Sequence, residues 1–303
     1  MLVTAVIVTC CTQRKSGSDR IDMSQIPHLL TTRQLADAWR NVVSKVFPVA
    51  TAQSLYQGRS VTDTAAAASH LGVSWRIVSA GLGLVKSDDF VPGYECTVAP
   101  GSDLARRLQS INATAADWWN ELTALRPFPL SHLIAQSPTL LALPSSYFRL
   151  VHDDLARVSP ASANHLRIFT SSAGAREVPK HLIDCVMPYD ERLESIREFA
   201  GTQSDFAQRA LRHFVTTLEA STLPLTKARS AVAAALANQL RIPRSANKRM
   251  SDEEIREVLI KKWAQHDGKS TRLLRYLRDE ACISCEQKRF SRLWQALAIE
   301  LRN

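Results

Sequence analysis

No apolar run in this 303-residue chain approaches the roughly 20 residues that a membrane-crossing helix needs, so no spanning segment is expected. Residues 1–9 are apolar but short, with no basic flank and no small-residue cleavage site. They read as a buried strand rather than a secretion signal, and a cytoplasmic location is expected. The six cysteines (Cys10, Cys11, Cys96, Cys185, Cys282 and Cys285) are scattered, and without a secretion signal disulfides are not expected. Cys282 and Cys285 have CxxC spacing, but a zinc site wants a second pair or a histidine pair at ligand spacing, and none follows. Neither a metal nor a cofactor is expected. Ser-His-Asp series, HExxH and phosphate-binding Walker loops are missing. Gly81 and Gly83 stop short of a dinucleotide fingerprint, because Lys86 stands where the third glycine belongs.

Charge is unevenly spread. The formal net charge is +9, and residues 221–303 hold 17 Lys/Arg against 9 Asp/Glu, whereas residues 1–220 hold 21 against 20. A localised basic field is the footprint of a polyanion-binding surface, since neutralising phosphates releases condensed counterions. It also describes an ordinary solvated helical face.

The run at 3–9 is β-branched with no polar alternation, as in a strand buried on both faces of a parallel sheet. Helical periodicity follows over 32–46 and 61–70, then a strand over 75–79 and a glycine-containing loop over 80–85. One long helix is expected over 102–125, with Trp118 and Trp119 in the core. Apolar strands recur at 139–143 and 166–170, and a weaker one at 182–187 precedes helices at 191–199 and 204–219. Strands alternating with helices predict an α/β three-layer sandwich with a mainly parallel central sheet over residues 1–220. Beyond 223 no strand is expected. Helices are predicted at 225–240, 251–266, 271–281 and 286–301, with a joint at Pro243.

In this C-terminal module Lys269, Ser270 and Thr271 lead into a helix carrying Arg272, Arg275 and Arg278, and the next opens with Lys288, Arg289 and Arg292. Three- and four-residue spacing places these on helix faces able to follow a phosphate backbone, which predicts a helix-turn-helix-like DNA-binding module.

Ligands of open α/β sheets sit beyond the carboxyl ends of the strands. Candidate contacts in such loops are Cys11, Thr12, Gln13, Arg14, Lys15, Tyr56 to Arg59, Ser79, Gly81, Leu82, Gly83, Tyr94 and residues 145–147. Gln13, Arg14 and Lys15 suit base edges or phosphate, and equally suit simple exposure. Tyr56 and Tyr94 suit stacking on an extruded base, or packing under their own loops. Asp88 and Asp89 are the preferred acids, with Gln13 beside them, because hydrolysis of an N-glycosidic bond wants a carboxylate to position water or stabilise the oxocarbenium-like centre. Helix capping or solvated charge explains either aspartate alone as well.

The segments Thr9-Cys-Cys-Thr-Gln-Arg-Lys15, Ser54-Leu-Tyr56, Trp75-Arg-Ile-Val-Ser-Ala-Gly-Leu-Gly-Leu84 and Asp88-Asp89 followed by Pro92-Gly-Tyr94 resemble one group of domains. These are the domains related to the peroxide-stress YaaA proteins and to the uracil-glycosylase-like domain beside archaeosine transglycosylases. Ser270 to Arg278 and Cys285 to Phe290 are similar to the tail of proteins from DNA-modification and phage-defence clusters. The resemblance implies a uracil-glycosylase-like fold and a metal-free DNA glycosylase of anti-phage defence, which flips out and excises a modified base such as glucosylated hydroxymethylcytosine. It also implies that Thr12 to Lys15 and Gly81 to Gly83 frame the base pocket. The water-activating Gly-Gln-Asp-Pro-Tyr motif of uracil glycosylases is absent after the first strand, so a carboxylate must come from elsewhere. Two other readings stay open: a base-exchanging transglycosylase on DNA or RNA, and a non-catalytic DNA-binding stress protein of the YaaA type.

Overall fold

The computed structural model describes residues 5–17, 20–28, 30–125, 128–241, 248–281 and 283–301. Val3 and Thr4 of the first expected strand, the expected joint at Pro243, and Cys282 of the CxxC pair lie outside them, as do the side chains of Arg278 and Lys288. The chain forms two compact units, residues 1–241 and 242–303.

The first unit is built on five strands: β1 (Val6–Cys10), β2 (Trp75–Ser79), β3 (Gly83–Lys86), β4 (Thr139–Ala142) and β5 (Leu166–Phe169). Their order is β3-β2-β1-β4-β5. β1 pairs in parallel with β2 (Ile7 opposite Trp75) and with β4 (Ile7 opposite Leu140), and β4 pairs in parallel with β5. Only β3 is antiparallel, folded back on β2 through a tight turn in which Gly83 has φ +75°. Every residue of β4 and β5 is buried, odd and even alike, which requires cover on both faces of the sheet. That is the three-layer α/β arrangement the alternating pattern predicts.

Five helices supply most of that cover: α1 (Thr32–Ser44), α2 (Arg59–Leu71), α3 (Ala115–Thr123), α4 (Ser145–Leu150) and α5 (Phe206–Arg212). α1 packs on α3, and α2 packs on α5. Thr31 caps α1 by accepting from the Gln34 amide, and the buried stripe Leu35, Ala36 and Trp39 turns it inward. α2 ends on Gly72 in the left-handed conformation, which only glycine adopts without cost. The expected single helix over 102–125 is two, Asp103–Ser110 and α3. Asn112 takes φ +56°, and Thr114 with Asp117 forms a capping box that starts a new helix. Trp118 and Trp119 are both buried, as expected.

Three further expectations are corrected. Residues 182–187 form no strand: Lys180–Cys185 is a 3-10 helix started after Pro179, and only Val186 makes an isolated bridge to β5. The glycine-containing loop 80–85 contains the start of β3. The first unit also extends twenty residues past 221, because α6 (Leu225–Ala237) buries Ala228, Val232 and Leu236 in its core. Lys227, Arg229 and Arg241 leave the basic module with that shift, and residues 242–303 carry 14 Lys/Arg against 9 Asp/Glu.

The second unit has α7 (Asp252–Lys262), α8 (Ser270–Arg275, continued as a π turn to Glu280) and α9 (Gln287–Glu300) around Ile255, Leu259, Leu273, Leu277, Phe290 and Leu297. It is not purely helical. β6 (Lys248–Arg249) and β7 (Ile283–Ser284) form a short parallel ladder between the helices. The stretches are two residues long, too short for a periodic signal.

Candidate functional site

The chain leaves β1 towards β2 and β3 on one side, then returns to β4 and β5 on the other. The point of reversal lies between β1 and β4, and at their carboxyl ends open α/β sheets hold ligands. A cleft of about 460 Å3 lies there, lined by Cys10, Cys11, Thr12, Gln13 and Arg14 after β1, and by Pro144, Ser146 and Tyr147 after β4. Gln57 to Ser60, Cys96, Thr97, Ser204 and Asp205 complete it.

The loop after β1 is held by main chain. The Cys11 amide donates to Val78 O at 3.0 Å, Gln57 N to Arg14 O at 2.9 Å, and Ser16 N to Leu55 O at 2.8 Å, with a bridge between Lys15 and Tyr56. Thr12 adds a side-chain tie: its hydroxyl donates to Arg14 O at 2.7 Å and accepts from the Gln57 amide. Gln13 and Arg14 are therefore presented at the cleft, exposed and with side chains that have no partner among the described residues.

Cys10, Cys11, Cys96 and Tyr147 make the buried wall, with Cys11 Sγ and Tyr147 Oη 2.8 Å apart. Burial, and next the neighbouring Cys11 sulfur, push Cys10, Cys96 and Tyr147 far above their ordinary pKa values. These groups are neutral at neutral pH, so Cys10 and Cys96 offer no thiolate nucleophile.

The cleft's carboxylate is Asp205, which the sequence reading missed. Its Oδ1 accepts from Arg209 Nε at 2.7 Å and from the Thr202 amide at 2.9 Å, while Oδ2 has no hydrogen-bond partner among the described residues. Arg209 is fully buried and is itself held by both oxygens of Glu194 (2.9 and 3.2 Å) and by the carbonyls of Phe199 and Thr202. One oxygen of Asp205 is thus locked, and Asp205 is among the residues that line the cleft. One turn on, Gln208 donates to Thr9 Oγ1 at 2.9 Å and to Ala142 O at 3.1 Å, tying α5 to the diverging strands β1 and β4. The sequence signal at Asp205 is a helix cap, since Thr202 and Asp205 form a capping box.

Several expected site residues lie elsewhere. Asp88 and Asp89 follow β3, which runs antiparallel, so they stand at the amino-terminal edge of the sheet near Arg76 and far from the cleft. Asp88 is exposed and Asp89 accepts the Lys86 amide at 2.7 Å as a turn cap. Tyr56 and Tyr94 are buried, not stacking platforms: their hydroxyls bond at 2.7 Å, and Tyr94 Oη meets Ser79 Oγ at 2.5 Å. Ser79 in turn accepts the Gly81 and Leu82 amides. Gly81 and Gly83 serve the β2–β3 turn: a Cβ on Gly81 would lie 2.6 Å from the Tyr94 ring, and Trp39 Nε1 donates to Gly81 O at 2.7 Å. Lys15 is buried over the Tyr94 ring, 4.7 Å from its centroid, and lies 4.0 Å from Glu95. Of the expected contacts, Cys11, Thr12, Gln13 and Arg14 come together in the cleft with Gln57, Gly58, Arg59, Ser146 and Tyr147.

In the second unit four of the expected phosphate contacts, Lys269, Arg272, Arg289 and Arg292, already have acidic partners. Arg289 and Arg292 share Asp252, whose carboxyl is held below its usual range first by the Arg289 hydrogen bond. Arg289 also donates to Met250 O at 2.8 Å. Lys269 and Arg272 face Asp267. Arg275 is exposed with no partner among the described residues, and Ser270 and Thr271 form the first turn of α8. Exposed ion pairs contribute at most about 1 kcal/mol, so those at Asp267 can exchange for phosphate, whereas Arg289 also serves the fold.

Among the described residues no group of three or more His, Cys, Asp or Glu is arranged to hold a metal ion, and no helix is long and apolar enough to cross a membrane. Comparison with protein-family models, with curated proteins and with solved structures finds no match to this chain.

Proposed function

We propose that the protein is a DNA glycosylase, in which the switch-point cleft receives a base extruded from the strand and Asp205 acts on its N-glycosidic bond. The observation that carries this reading is the half-locked carboxylate: Oδ1 is fixed by Arg209 and the Thr202 amide, and Oδ2 is left for water or for the developing positive charge at the sugar. Water adds to the anomeric carbon as the bond to the base nitrogen breaks, and the departing base takes up a proton. The product is an abasic sugar. Asp205 takes the part that the absent Gly-Gln-Asp-Pro-Tyr motif plays in uracil glycosylases, supplied from the start of α5 instead of the loop after β1.

The size of the cleft supports the reading, since pockets of about 300–1,000 Å3 take small ligands. Gln13 and Arg14 offer an amide and a guanidinium for a base edge or a neighbouring phosphate. Extrusion costs a few kcal/mol, which phosphate contacts from the basic second unit help to offset. Modified phage bases are the proposed substrates on the strength of the motif resemblance.

The test is incubation with DNA from ordinary and base-modified phages, with abasic sites read by alkaline strand cleavage. Asp205→Asn keeps volume and removes the charge, and is expected to lower the rate by about 10^2- to 10^4-fold with DNA binding retained. Cleavage unchanged by the substitution would remove Asp205 from the mechanism. Abasic sites in neither DNA would overturn the glycosylase reading.

A further inference from the structure

A second pocket, of about 400 Å3, opens at the opposite, amino-terminal edge of the sheet, where Pro138 and His165 directly precede β4 and β5. Leu140 and Leu223 give it apolar walls and Thr222 stands exposed at its rim. Into this wall β5 places Arg167, which is only 7% exposed.

Arg167 is a buried cation with no carboxylate within ion-pair distance among the described residues. Its Nη atoms donate to three carbonyls, of Asn164 (2.8 Å), Leu166 (3.0 Å) and Leu223 (2.9 Å), and its buried Nε has no acceptor among the described residues. Carbonyl dipoles satisfy donors but do not neutralise a charge, and a guanidinium stays protonated in proteins. Cys185, which interacts electrostatically with Arg167, is driven towards its neutral thiol by burial. The other buried arginine and lysine among the described residues differ: Arg209 meets Asp205 and Glu194, and Lys15 lies by Glu95. An uncompensated charge at the wall of a pocket whose sides are Leu71, Val73, Leu140 and Leu223 is the arrangement that an anion with an apolar body would complete.

We propose that this pocket binds a small organic carboxylate, its anionic head against Arg167 and its hydrocarbon body between Leu140 and Leu223. The site is separate from the cleft and does not depend on the glycosylase reading.

Hexanoate, with hexanamide and inorganic phosphate as controls at fixed ionic strength, tests the proposal by thermal unfolding of the full chain. At about ten times its Kd, hexanoate is expected to raise the midpoint by about 3 °C, and the neutral amide and phosphate to leave it unmoved. Arg167→Gln should abolish the response. Thr222→Glu, at an exposed position that spares the fold if R167Q does not, places a carboxylate at the rim; it should raise the midpoint without ligand and remove the hexanoate effect. No response to hexanoate, an equal response to hexanamide, or a full hexanoate response in T222E would overturn the proposal. An equal response to phosphate would overturn the role of the hydrocarbon walls.

Discussion

Replacing Arg209 by methionine should destabilise the first unit by about 3–5 kcal/mol. The side chain is fully buried and bonds Asp205 once, Glu194 twice and two backbone carbonyls. Methionine fills much of the volume but takes away the guanidinium that Asp205 and Glu194 share, and removing one partner of a buried pair costs about that much. The chain has also closed around the guanidinium, since a Cβ on Gly201 would stand 2.6 Å from Arg209 Nε, so the site has little room to rearrange. Equilibrium unfolding in urea measures the loss, with fluorescence from Trp39, Trp75, Trp118 and Trp119 of the same core. Adding Asp205→Asn and Glu194→Gln removes both facing negative charges and should restore most of the stability, a coupling that a mutant cycle reads directly. A loss below about 1 kcal/mol for R209M, or no recovery in the triple variant, would refute the view that charge pairing holds this wall.

Gly81→Ala should cost about 1–3 kcal/mol by overpacking, because the new methyl meets the buried and tethered Tyr94 ring; thermal unfolding checks it, and an unchanged midpoint would show that the ring yields. His213 should make stability fall with pH. Burial lowers its pKa from 6.5, Tyr189 Oη sits 2.8 Å from its Nδ1, and the ring stands edge-on to Phe199. The unfolded chain therefore takes up a proton first, so the contribution is complete above about pH 6.5 and is lost as the pH falls towards the lower folded value. His213→Asn should flatten that slope in urea titrations between pH 7 and 5, and an unaltered slope would remove His213 as its source.

The strands were legible because their chemistry is local: largely apolar, unalternating runs at β1, β4 and β5, β-branched in β1, announce burial on both faces. The cleft's position followed from the first of them, and Cys11 to Arg14 were found by it. Asp88 and Asp89 were misplaced by topology. They lie soon after β2 in sequence, but the Gly81–Gly83 reversal carries the chain back along β3 to the wrong end of the sheet. No periodic signal marks a four-residue strand beside a turn. Asp205 was hidden for a different reason, since a Thr-x-x-Asp pattern is fully explained by the helix it caps. Its second oxygen becomes chemically interesting only when 205 and 10–14 are seen to line one cavity, a contact some 190 residues apart in the chain. The second unit's arginines were counted correctly, but their pairing to Asp252 and Asp267 depends on the helix packing.

The ladder between residues 12–16 and 54–57 is made almost wholly of main-chain hydrogen bonds and Thr12, so the side chains of Gln13 and Arg14 add no hydrogen bond to the scaffold that displays them. Substitutions at these two positions can change what the cleft prefers without a debt in folding. On the glycosylase reading, the choice of base could be altered there one side chain at a time, leaving Asp205 and its buried support as they are.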